Sequence, residues 1–329
     1  MKHSILTQLY KEHFGAEPTG MEKLPASGSA REYWRIYNGN ETYIGTINAD
    51  LRENTLFIKY SQYFKAKGVA VPTILCTAPD NSAYIQEDLG SYMLLDILTA
   101  ERQGGKLSAH TMALYKKALS QLLQMQFAGQ ELDYSQALPR PSFDKRCIMW
   151  DLNYFKYCYL RLAAIPTDED LLENDLEKLC SIITEQPADT FMFRDFQSRN
   201  IMVKGEDVIF IDYQGGRKGP LGYDVASLLY DAIAEIPEAQ HQELLEHYIA
   251  ELNKIRPDLS QGFIKSYHHI ALVRLLQAMG AFGLRGLHEK KQHFIDSIKP
   301  GSAAIAKLLS NHLHGEYPEL EKIFLKQSL

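Results

Sequence analysis

Three oxygen-bearing side chains between Phe191 and Asp231 have the types and spacing to do chemistry. Asn200 stands five positions after Asp195, and Asp212 follows beyond two short apolar runs. Those runs, Ile201-Met202-Val203 and Val208-Ile209-Phe210-Ile211, flank Lys204-Gly205-Glu206-Asp207, which is the pattern of a β-hairpin. A hairpin returns its ends to one place, so Asn200 and Asp212 belong at its open end. Two carboxylates and an amide gathered there suit a hard cation such as Mg²⁺, with one carboxylate left over to orient a hydroxyl.

Arg194-Asp195, four intervening residues and Asn200 reproduce the catalytic-loop spacing of kinases, and Asp212 falls where their metal-binding Asp follows. Downstream, Gly219-Pro220-Leu221-Gly222-Tyr223-Asp224-Val225-Ala226-Ser227-Leu228 adds a further signature. On these residues the chain resembles the aminoglycoside phosphotransferase/choline kinase family, relatives of protein kinases that act on small molecules. More narrowly it is similar to the branch of bacterial cell-wall amino-sugar kinases, which phosphorylate N-acetylmuramate and N-acetylglucosamine at the anomeric hydroxyl. The resemblance implies an α+β, bilobal, protein-kinase-like fold. A small β-rich lobe over 1–89 would bind nucleotide, and a larger helical lobe over 90–329 would carry the catalytic loop and acceptor site. It implies ATP as co-substrate and one or two Mg²⁺ ions. Asp195 takes the catalytic position, Asn200 and Asp212 the metal positions, and Asp224 that of a brace for the catalytic loop. Two departures stand out: Phe193 replaces the usual His, and Tyr213-Gln214 replaces Phe-Gly. An aromatic at 193 can buttress backbone by packing, so neither change removes a reacting atom. Gln214 is a candidate contact to metal or sugar, and Arg199 and Arg217 are candidates for phosphate or substrate.

The elements that must position these residues follow from periodicity and turn chemistry. Residues 3–14 fit a short amphipathic helix. The small-residue stretch 24–31 leads into a strand at 33–37, Asn38-Gly39 turns the chain, and Thr42–Ile47 returns. Ser27, Gly28 and Ser29 form the candidate phosphate-covering loop, because small residues let backbone N–H groups approach an anion, and Arg31 is a candidate phosphate contact. The returning strand, Gly45-Thr46-Ile47-Asn48-Ala49-Asp50, lacks the Lys that kinases place there. Glu53 is a candidate for the helix acid that pairs with that Lys in kinases, although a helix N-terminus favours an acid in any case, and the second reading is preferred. Residues 53–67 show helical spacing stopped by Gly68, strands follow at 69–76 and 83–87, and Gln86, Glu87 and Leu89 mark the segment whose backbone would read adenine. Beyond it, helices are expected at 94–102 and from Ser108 to Phe127, then a loop over 133–143 carrying Pro139 and Pro141. Trp150, Asp151, Asn153, Tyr154 and Tyr157 form an aromatic and polar concentration, with Asp151 the first choice for an acceptor contact. Thr167 and Asp170 read as a capping box. Further helices are expected at 237–252, 258–287, 300–313 and from 317. His268-His269 has no partner at metal-ligand spacing and reads as structural.

Bulk properties narrow the classes. The chain has 329 residues, 35 Lys and Arg against 41 Asp and Glu, and a net charge of −6, so it carries no polyelectrolyte footprint for nucleic acid. The 4 cysteines show no C-x-x-C pairing and read as reduced thiols of a cytoplasmic protein. The N-terminal residues lack the uninterrupted apolar core of a secretory signal, and Ile270–Leu287 contains Arg274, Gln277 and Arg285, so a buried helix rather than a membrane partner is expected. The leading expectation is a kinase moving the γ-phosphoryl group of ATP to a hydroxyl of a small molecule, foremost a cell-wall amino sugar. The alternatives are a kinase of another small alcohol (an aminoglycoside or a choline- or ethanolamine-like amino alcohol) and a nucleotide-binding regulator with little turnover. Protein kinase activity is disfavoured, because no A-P-E-like segment follows Asp212.

Overall fold

The computed structural model describes residues 2–25 and 31–325. The chain forms two compact units, Met1–Asp96 with Arg199–Gly215, and Ile97–Ser198 with Gly216–Leu329.

The first unit is built on an antiparallel sheet of β1 (Gly20–Lys23), β2 (Glu32–Asn38), β3 (Glu41–Ile47), β4 (Ile74–Thr77) and β5 (Ala83–Glu87), in the order β1-β2-β3-β5-β4. Asn38-Gly39 makes the expected tight turn, with Asn38 opposite Glu41 and Gly39 at φ 60°. Helix α1 (Lys2–Phe14) lays Leu6, Leu9 and Tyr10 against Ile36, Ala83 and Ile85. Gly45 on β3 makes that approach possible, since a Cβ there would stand 2.8 Å from Leu6 Cδ1 and 2.9 Å from Ile36 Cδ1. Helix α2 (Leu51–Ala66) starts two residues before the expected position, because the Asp50 carboxylate accepts from the N–H groups of Arg52 and Glu53. On its inner face Phe57 stacks on Tyr84 and Tyr213, with centroids 5.4 and 5.1 Å apart.

The hairpin is present as strands Ile201–Lys204 and Asp207–Phe210, with Lys204 opposite Asp207. It groups with the sheet-bearing unit, outside the larger lobe expected over 90–329. Hydrogen bonds explain the difference: Val203 N–H donates to Tyr92 O (2.9 Å) and Phe210 N–H to Ala70 O (2.9 Å). Tyr213, just beyond, is locked under α2 by Ser61 (2.5 Å between hydroxyls).

The second unit is helical: α3 (Leu94–Glu101), within which the units divide, α4 (Ala109–Ala128), α5 (Lys145–Phe155), α6 (Glu169–Thr184), α7 (Gly222–Leu229), α8 (Glu238–Ile255), α9 (Pro257–Phe282), α10 (Gln292–His312) and α11 (Pro318–Leu325). Helix α9 is its spine, packed by α5, α7, α8 and α10. The segment Pro257–His288 is long and apolar enough by composition to cross a membrane, yet Ile270 to Leu276 are all buried side chains of this core. Both α5 and α9 run on into single π-helical stretches, Lys156–Leu160 and Gly283–His288, which meet where Gly283 presses on the backbone of Cys158. A short strand pair, Thr190–Met192 with Arg217–Gly219, was not foreseen from the sequence. Two helix starts are corrected. Helix α6 is capped by Asp168, which accepts from Leu171 N–H, rather than by Thr167. Helix α10 begins at Gln292, ahead of the expected start at 300, and carries Pro300 inside it.

Candidate active site

The segment carrying Asp195 is held from several sides within the helical unit. Asp224, in the first turn of α7, is fully buried and accepts from the backbone N–H groups of Phe193 (2.7 Å) and Arg194 (2.9 Å). Burial pushes its pKa up to about 7, against the pull of those two N–H donors, and the neighbouring negative charge of Asp195 adds to the rise. Phe193, standing where a His was expected, is buried and packs edge-on to Phe196, with centroids 5.2 Å apart. Ser198 donates to the buried carboxylate of Asp231 (2.8 Å). Asp195 itself is exposed.

Arg194 has a backbone φ of 87°, a left-handed conformation that long side chains rarely adopt. Its guanidinium donates to both oxygens of Asp151, at 2.6 Å each, and lies over the rings of Tyr223 (5.1 Å) and Phe143 (5.6 Å). Burial opposes that charge, but Tyr223 and Asp151 outweigh it and raise the pKa. Asp151 also accepts from the Tyr223 hydroxyl (3.3 Å). Asp151, the first choice for an acceptor contact, thus has both oxygens engaged by Arg194 in a bidentate carboxylate–guanidinium pair. Arg217 is buried on the strand opposite Met192, and burial followed by the nearby Arg194 charge lowers its pKa. Arg199 is exposed at the start of the segment belonging to the other unit.

Asn200 and Asp212 stand at the open end of the hairpin in the sheet-bearing unit. Ile211 N–H donates to Asn200 O (3.1 Å), which closes that end, and Asp212 turns the chain at φ 71°. The Asn200 side chain is buried, while that of Asp212 is 41% exposed. Asp212 Oδ1 accepts from Arg31 Nη1 (3.1 Å) and from Gln214 Nε2 (3.0 Å). Arg31 Nη2 donates to Glu53 Oε2 (3.0 Å), which also takes Asn48 Nδ2 (3.3 Å). Glu53 is therefore more than a helix-end acid. Nothing local in the sequence linked it to Arg31, because the strand and helix that bring them together lie on either side of β3.

The remaining nucleotide positions divide. Gln86 is paired on both sides, by Ile44 and Ile74, so its backbone belongs to the sheet. Glu87 accepts from Thr73 Oγ1 (3.3 Å), and Leu89 is buried. Asp88 between them takes Arg35 Nε (2.7 Å) and Gly90 N–H (2.9 Å), fixing the turn that follows. Ser27, Gly28 and Ser29 lie outside the described residues. Among the described residues there is no group of three or more His, Cys, Asp or Glu side chains able to hold a metal. Asn200 and Asp212 are hard-oxygen donors of the kind Mg²⁺ takes when one or two side chains bind it and phosphates and water complete its shell.

Residues 21–257 match the phosphotransferase enzyme family, APH. The N-acetylmuramate/N-acetylglucosamine kinase of Pseudomonas aeruginosa is 26% identical over 306 residues, covering 90% of this chain and 86% of the relative. Among solved structures, an ethanolamine kinase of Plasmodium vivax matches with a TM-score of 0.61 at 16% identity, over 86% of this chain and 82% of its own. The ADP-bound aminoglycoside phosphotransferase APH(2'')-Ib matches with a TM-score of 0.62 at 13% identity, over 94% and 99%. These structural likenesses carry the protein-kinase-like fold.

Proposed function

The chain belongs to the phosphotransferase enzyme family, and from that premise we propose that it transfers the γ-phosphoryl group of ATP to the anomeric hydroxyl of a cell-wall amino sugar. It is a small-molecule kinase, and its class of acceptor is the one named for the relatives that match along nearly all of its length. The observation that carries the chemistry is the hairpin whose open end presents Asn200 and Asp212, following directly on the braced segment that carries Asp195.

Phosphoryl transfer passes through a loose transition state, so positioning and charge neutralisation supply most of the acceleration. Asp195 orients the acceptor hydroxyl and takes its proton at a carboxylate oxygen. Asn200 and Asp212 are the residues that would hold Mg²⁺, one ion or two, which when bound would supply Lewis-acid charge neutralisation to the transferring group. Asp224 fixes the backbone of Phe193 and Arg194, and Asp151 fixes the Arg194 side chain, so Asp195 keeps one orientation. Ser27, Gly28 and Ser29 are assigned to the nucleotide phosphates on their small side chains alone, and Gln86, Glu87 and Leu89 to the adenine. Gln214, bonded to Asp212, is assigned to metal or sugar, and Arg199 to phosphate or substrate. Four free thiols support a reducing, cytoplasmic setting.

The test is ATP consumption with Mg²⁺ against N-acetylglucosamine, N-acetylmuramate, ethanolamine, choline and an aminoglycoside. Turnover with the two acetylated sugars at least tenfold above the cationic acceptors is the expected result. The reverse order would transfer the chain to the amino-alcohol or aminoglycoside kinases, and no turnover with bound nucleotide would make it a regulator.

A further inference from the structure

Kinases of this architecture place a Lys on the third strand, where it meets the nucleotide α- and β-phosphates and an acid of the following helix. Here that strand reads Gly45-Thr46-Ile47 and offers no cation. The helix acid and the metal-position Asp are nevertheless both present, and one charged group links them. Arg31, at the foot of β2 where Glu32 pairs with Ile47 of β3, donates through Nη2 to Glu53 of α2 (3.0 Å) and through Nη1 to Asp212 (3.1 Å). Its side chain is 4% exposed, while both carboxylates are 41% exposed. The guanidinium is thus buried, while both of its acids are partly exposed.

We propose that Arg31 is the phosphate-binding cation of this protein, moved from β3 to the neighbouring strand and aimed by Glu53. The assignment rests on the kinase reading and deepens it. One guanidinium between two carboxylates leaves a net negative charge, which suits a divalent cation. Were Asp212 to take such a cation, Arg31 Nη1 would be left to a phosphate oxygen with Nη2 still on Glu53. A planar guanidinium suits this double duty, since its fork serves a carboxylate and a phosphate at once, which a point-like ammonium does less well. Asn48, donating to Glu53 Oε2, keeps that acid turned toward the arginine.

Calorimetric titration with Mg·ATP and with adenosine separates a phosphate contact from a structural brace. Arg31→Met is expected to weaken Mg·ATP at least tenfold and leave adenosine within twofold of the wild type. Arg31→Lys, which retains the charge and serves if the Met variant does not fold, is expected to lose Mg·ATP affinity by a smaller factor, again with adenosine unchanged. Equal weakening of both ligands, or an unchanged ratio of Mg·ATP to adenosine affinity in either variant, would overturn the assignment while leaving the kinase reading standing. A wild-type protein that binds adenosine and Mg·ATP equally would overturn both.

Discussion

At the scale of single residues, spacing picks out the candidates but not their partners. Arg194, Asp195, Asn200 and Asp212 stand out because a short loop and a hairpin are local structures. The partner of Arg194 is Asp151, on a helix that precedes it by a long stretch of chain, and no short-range pattern points there. The sequence offered Asp151 to the acceptor instead. The geometry makes a sharp prediction. Asp151→Asn should lower kcat by about tenfold to a hundredfold and leave the acceptor KM within a factor of two, because the acid acts through Arg194. A double variant with Arg194→Gln should be no worse than the more damaging single variant, the non-additivity expected of two groups in one interaction. An acceptor KM that rises with kcat preserved would return Asp151 to the substrate.

At the scale of elements, the long helices and the Asn-Gly and Gly205 hairpins followed from periodicity and turn chemistry. The three-residue strands Thr190–Met192 and Arg217–Gly219 did not, since so few residues carry no alternation to read. Nor did the π-helical stretches, whose cause lies in packing. Gly283 meets the Cys158 carbonyl so closely that a Cβ would sit 1.8 Å from its oxygen. Backbone cannot give way as a flexible side chain can. Gly283→Ala should therefore cost at least about 2 kcal/mol of stability, measured by denaturant unfolding, even though alanine is the better helix former. A neutral or stabilising result would mean that the α5 and α9 extensions part readily.

At the scale of the whole molecule, the division into a sheet-bearing and a helical unit was anticipated. The allegiance of the hairpin was not, because it is set by hydrogen bonds to Tyr92 and Ala70 rather than by its own sequence. The helical unit also holds an acid-sensitive group. Burial lowers the pKa of His241 from 6.5 to about 4, with Glu238 pulling the other way and Lys307 and His312 adding to the fall. A histidine depressed in the folded state contributes stability that is complete above about pH 6.5 and lost as pH falls toward 4, because the unfolded chain takes the proton first. Between pH 7.5 and 5 this histidine should account for about 2 kcal/mol of lost stability. His241→Gln should show a correspondingly smaller acid-induced drop in unfolding temperature, and an identical drop would place the sensitivity elsewhere. The central claim concerns what the molecule does, and Asp195 tests it most directly. Formation of sugar phosphate from Mg·ATP and N-acetylglucosamine, followed by phosphorus NMR, should slow at least about a hundredfold in Asp195→Asn, with the unfolding temperature unchanged. A variant that phosphorylates the sugar within a few-fold of the wild-type rate would contradict the account.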